Sequence, residues 1–137
     1  MNTDTRKLRI LIVDDHAVLR QSLRMMLEDL PDMVVAGEAD TGAAAVEACR
    51  SEPFDVILLD VRLPDFSGQA VARKLKTLST DYKIVALSMR DEELVRQEMY
   101  KAGADAFVSK ADGADALIAT IRNCTGISAI SAPEARR

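Results

Sequence analysis

The stretch 10-ILIVDDHAVLRQS-22 decides the fold. Its leading residues are aliphatic and continuous, the mark of a strand covered on both faces. They stop at two adjacent carboxylates, Asp14 and Asp15. Leu19, Leu23, Met26, Leu27 and Leu30 then follow the three-four rhythm of one helical face. A buried strand that delivers two charges to its own tip and turns straight into a helix opens an alternating strand–helix architecture. It also raises the question of what the charges are for.

The unit recurs along the chain. Aliphatic runs stand at 8-LRILIV-13, 33-MVVAGE-38, 55-DVILLD-60, 83-KIVALS-88 and 106-AFVSK-110. Between them, 42–51 is helical by composition, and Val71, Leu75 and Leu78 keep helical spacing. So do Ala114, Leu117, Ile118 and Ile121. The segment 91–102 also reads as a helix, with Asp91, Glu92 and Glu93 in its first turn, where acids suit the positive end of the helix dipole. Alternating elements with right-handed crossovers predict an α/β fold of the flavodoxin-like, doubly wound class. It has a five-stranded parallel sheet in the order 2-1-3-4-5 and five helices.

The 137 residues suffice for one domain, predicted over 7–124. Residues 1–6 read as an N-terminal extension. Residues 125–137, rich in small and polar side chains, read as a linker or flexible tail. A net charge of −4 argues against a standing nucleic-acid surface. Cys49 and Cys124 lack metal-ligand spacing and read as structural reduced thiols. The polar start is no signal peptide, and no apolar run approaches the ~20 residues of a membrane span. A cytoplasmic protein without membrane contact is expected.

In such a sheet the strand C-termini share one edge, where ligands bind. Asp14 and Asp15, Asp60, Ser88 and Lys110 each end a strand there. Singly, an Asp after a strand is a cap or turn former, and a Lys is solvated. Together they form a site. Close carboxylates repel one another, and a divalent cation relieves that repulsion. Hard oxygen ligands suit Mg²⁺, and the lack of a His/Cys cluster argues against Zn²⁺. Lys110 adds positive charge and Ser88 a hydroxyl donor, so the set suits a phosphoryl group. Asp60 is the candidate nucleophile for an acyl phosphate. Pro64 and Gly68 bracket the following loop as structural supports. His16, the only histidine, is expected at the start of the first helix with its polar tip in solvent.

The segments 12-IVDDHAVLR-20, 57-ILLDVRLPDFSG-68, 84-IVALSM-89 and 101-KAGADAFVSK-110 resemble the receiver domain of two-component response regulators. The DDH and LSM pieces are most similar to the subclass with a LuxR-type (NarL/FixJ-like) helix-turn-helix output domain. The resemblance implies that Asp60 accepts phosphate from a sensor histidine kinase. Asp14, Asp15, Asp60 and the backbone carbonyl of Arg62 would hold Mg²⁺. Lys110 and Ser88 would contact the phosphoryl oxygens, and Phe107 would be an aromatic switch residue working with Ser88. It further implies transcription control through an output domain that these residues do not contain, with DNA contacted only there. Homodimerisation on phosphorylation is one option, and a stand-alone receiver acting through protein contacts is the alternative.

Departures from the family pattern are Ser88 for the commoner Thr, Phe107 for Tyr, and Ala111 where a Pro with a preceding cis bond is frequent. Without Pro, a cis bond costs ~3 kcal/mol. Met89 and Arg90 are expected to crowd an attacking water and lengthen the life of the acyl phosphate. An aspartyl phosphatase is disfavoured, because 60-DVRL-63 lacks a second Asp at its third position.

Overall fold

The computed structural model describes residues 6–126. In chain order they form β1 (Leu8–Val13), α1 (Ala17–Glu28), β2 (Met33–Ala39), α2 (Gly42–Ser51), β3 (Val56–Asp60) and α3 (Gly68–Leu78). Then follow β4 (Lys83–Ser88), α4 (Glu93–Ala102), β5 (Ala106–Ser109), a 3-10 turn (Lys110–Asp112) and α5 (Ala114–Thr125). All strand pairs are parallel and the sheet order is β2-β1-β3-β4-β5, as the alternation predicts.

Two-residue periodicity sorts the strands onto two cores. Leu11, Val13, Ile57, Leu59, Ile84 and Ala86 face Val71 and Leu75 of α3 and Met99 of α4. Ile10, Ile12, Val56, Leu58, Val85 and Leu87 face Leu23 and Leu27 of α1 and Leu117 and Ile121 of α5. This is why the runs read as continuous: every residue of β3 is buried. Each such aliphatic contributes roughly 1.5–3 kcal/mol relative to exposure. The sheet is thereby a rigid base for the groups at its tips.

Several boundaries differ from the sequence expectation. Glu92 keeps extended backbone (φ −104°, ψ 122°) and caps α4, so only Glu93 of the three acids lies in the first turn. β5 ends at Ser109, whose hydroxyl accepts the Ala111 N–H and starts the 3-10 turn. Lys110 therefore sits in that turn rather than in the strand. The bond before Ala111 is trans. α5 includes Thr125 and stops at Gly126, which takes the left-handed φ of 84° that suits glycine. The remainder of the expected tail, and residues 1–5 of the extension, lie outside the described residues.

Candidate functional site

The chain leaves β1 for β2 on one side and returns to β3 on the other, which opens a crevice at their tips. Three hydrogen bonds build its floor. The Lys110 ammonium donates to Asp14 Oδ2 at 2.9 Å and to Asp60 Oδ2 at 3.5 Å. The Arg62 N–H donates to Asp60 Oδ1 at 3.1 Å. Asp14 and Asp60 are both buried, whereas the Asp15 side chain is half-exposed at the mouth. Ligand atoms of Asp14, Asp15, His16 and Asp60 all lie within 4.8 Å of one another. Ser88, also buried, accepts the Arg90 N–H at 3.3 Å, and its own O–H makes no hydrogen bond among the described residues. The crevice encloses about 530 Å³ and includes Asp15, Asp60, Ser88 and Lys110 in its walls, with Met89 and Arg90 at the rim.

The two buried carboxylates are tuned in opposite directions. Burial raises the proton affinity of Asp14, but the His16 N–H and the Lys110 ammonium outweigh it and hold this carboxyl below its ordinary range. Burial dominates at Asp60 and, helped by the Asp14 charge, pushes it up despite the Arg62 N–H and Lys110. Asp60 is thus a carboxylate short of positive charge. The donors around it are carboxylate oxygens with one imidazole, and a hard divalent cation that keeps part of its water shell fits such a set.

The structure brings Asp14, Asp15, Asp60, Ser88 and Lys110 to one place. Arg62 lines the crevice as well. Phe107 does not: it is buried in the core beneath α4, with the Arg96 guanidinium 4.7 Å from its ring centre. His16 departs from the solvent-facing expectation in part. Its side chain is 69% exposed, yet Nδ1 lies 3.0 Å from Asp14 Oδ1 and 3.2 Å from Asp15 Oδ1. Sequence reading also missed Asp65. Its carboxylate accepts the N–H groups of Gly42 at 2.8 Å and Ala43 at 3.0 Å, tying the loop after Asp60 to the start of α2.

This geometry has close relatives. The response regulator receiver domain family matches residues 10–122. The chain is 34% identical over 116 residues to the response regulator UvrY of Escherichia coli (strain K12), covering 85% of this chain and 53% of that protein. It therefore spans about half the length of the curated relatives it matches. Among solved structures, the signal receiver domain of the response regulator NarL from Mycobacterium tuberculosis superposes with a TM-score of 0.82 at 30% identity, over 88% of this chain and 98% of that one. A response regulator from Burkholderia pseudomallei, determined with a phosphorylated aspartic acid, calcium ion and citrate, gives 0.76 at 25% identity over 93% and 75%. Five parallel strands in the order 2-1-3-4-5, an acid-lined crevice at their tips and a family match over most of the domain agree, and this chain belongs to the response regulator receiver domains.

Proposed function

We propose that the chain is a phosphorylation-controlled switch whose phosphoacceptor is Asp60. Receiver domains are signalling switches of two-component systems rather than classical enzymes, and a histidine kinase is their general partner. In the proposed step a carboxylate oxygen of Asp60 attacks phosphorus. The new O–P bond forms as the bond from phosphorus to the kinase imidazole nitrogen breaks, and the imidazole leaves with the electron pair and takes a proton. Lys110, already 3.5 Å from Asp60 Oδ2, neutralises the incoming phosphoryl oxygens, and the Ser88 O–H donates to one of them. Asp14, Asp15, Asp60 and the Arg62 carbonyl would hold Mg²⁺, which would cancel the repulsion between carboxylates and phosphate.

The observation that carries this reading is the single buried carboxylate at the tip of β3, facing the crevice and raised in proton affinity, with an ammonium beside it. The phosphorylated aspartic acid named for the Burkholderia relative supports it. The test is incubation with acetyl phosphate and Mg²⁺ followed by intact mass measurement. A gain of about 80 Da, one phosphoryl group, is expected. No gain, or continuous hydrolysis of unrelated phosphate esters, contradicts the switch.

Ser88 and Phe107 are proposed to relay the change, with residues 7–124 acting as the receiver of a longer cytoplasmic transcription regulator. DNA contact and phosphorylation-dependent dimerisation would belong to that whole protein. Among the described residues no helix is long and apolar enough to cross a membrane.

Met89, 72% exposed, and Arg90 stand at the crevice mouth. If they screen the acyl phosphate from water, Met89→Ala with Arg90→Ala shortens its half-life about fivefold, or ~1 kcal/mol of barrier. Dephosphorylation followed by loss of the added mass checks this, and an unchanged half-life removes the idea.

A further inference from the structure

We propose that the groove between α2 and α3, away from the crevice, docks an acidic amphipathic helix of a partner protein. Two rows of residues form it, each stepping by four. Gly42, Val46 and Arg50 run along α2, while Phe66, Ala70 and Lys74 run into and along α3. They enclose about 400 Å³. The floor is apolar, and Phe66, 53% exposed, adds its apolar surface to that of Val46, Ala70 and Val71 as one patch.

Charge identifies the occupant. The titratable side chains of the groove are Arg50 and Lys74, both cationic and exposed, in a chain of net charge −4. Arg9, Arg20, Arg24, Arg96 and Arg122 each hold an acidic partner. Arg50 and Lys74 form no ion pair among the described residues. The nearby Asp65 does not supply one, because its carboxylate is engaged by the Gly42 and Ala43 N–H groups. The negative end of the α2 dipole accounts for Arg50 in the last turn of that helix, but not for Lys74 in the middle of α3 or for the exposed apolar trough between them.

The pattern also sets the partner's direction. Acids are most stable in the first turn of a helix. A helix with Glu or Asp in that turn over Arg50 and Lys74, and aliphatic residues following towards Phe66, would lie antiparallel to α2 and α3. Each row spans about 12 Å at 1.5 Å per residue, so two to three turns would fill it. Two cations on an acidic protein are too few for a nucleic acid or an anionic membrane, which favours a protein partner.

The experiment uses the full chain labelled with ¹⁵N. The probe is a synthetic, end-blocked amphipathic peptide with three Glu in its first turn and Leu on one face at four- and three-residue spacing. Amide shifts confined to 42–50 and 66–74 are expected. Arg50→Glu with Lys74→Glu should weaken binding at least about tenfold, and a peptide with Lys in place of Glu should not bind. Ala70→Glu, at an exposed position, should block the groove independently, with circular dichroism confirming that each variant is folded. Absent binding, shifts centred on α1 or α4, or undiminished affinity in the charge-reversed protein would overturn the proposal. The same shifts on concentrating the protein without peptide would overturn it too, since the occupant would then be a second copy of this chain.

Discussion

Asp60→Asn is expected to gain no mass from acetyl phosphate and Mg²⁺, and in metal-free buffer to melt at a higher temperature than the wild type. The first effect is the loss of the nucleophile. The second follows from burial. Asp60 holds its proton more tightly when folded, because it is desolvated and faces Asp14. Its folded value lies above the ordinary 3.8, so its contribution to stability is fully present below 3.8. That contribution is lost as the pH rises through the folded value. At neutral pH the ionised carboxylate then opposes folding. Asn keeps the shape and removes the charge, while Lys110 retains Asp14 at 2.9 Å as its partner. The gain should show at pH 7 as a higher melting temperature than that of the wild type. Thermal melts at several pH values check this: the advantage of Asn should grow from acid to neutral pH. A variant that melts lower than the wild type at pH 7, or an advantage independent of pH, contradicts the account of this carboxyl. Asp14, held below its ordinary range, has the opposite sign; its contribution is present above 3.8 and fades as the pH falls.

Gly68→Ala should be the most damaging single methyl group in the protein. A Cβ there would stand 2.6 Å from Val61 Cα, 3.0 Å from the Val61 carbonyl oxygen and 3.1 Å from that of Asp60. All three are backbone atoms, so no side chain can turn aside. The Gly68 N–H also donates to the Val61 carbonyl at 2.9 Å, and the Val61 N–H to Leu87 at 3.0 Å. Displacing Gly68 therefore moves the segment that presents Asp60 to the crevice. A loss of about 2–3 kcal/mol is expected, together with slow phosphorylation. Gly113→Ala is the control. Nothing lies within 4 Å of its Cβ, and the strain is confined to its own backbone (φ 93°, ψ 173°), a region that glycine alone adopts readily, so about 1–3 kcal/mol should be lost with phosphorylation retained. Phosphorylation rate measured beside chemical denaturation separates the two variants. Gly68→Ala within ~0.5 kcal/mol of wild type would show that the close approach is not needed.

What was legible in the sequence follows from local rules. A strand buried on both faces reads as an unbroken aliphatic run, and parallel topology sends every such run to the same edge. That was enough to place Asp14, Asp60 and Ser88 together. Gly68 was legible as a close-approach position for a similar reason, because a loop between a buried strand and a helix must turn tightly. Contacts set by tertiary approach were not legible. The hold of Asp65 on Gly42 and the stacking of Arg96 on Phe107 join elements whose spacing depends on how helices settle on the sheet. The His16 ring could be placed near the first helix, but its reach to both acids depends on a backbone turn.

Tandem mass spectrometry of the chain digested after reaction with acetyl phosphate, with Mg²⁺ and with a chelator in its place, tests the proposed site most directly. The expected result is one phosphoryl group on Asp60, present with Mg²⁺ and nearly absent with the chelator. Phosphate on Asp14, Asp15 or His16 instead, or equal yield without the cation, would contradict it.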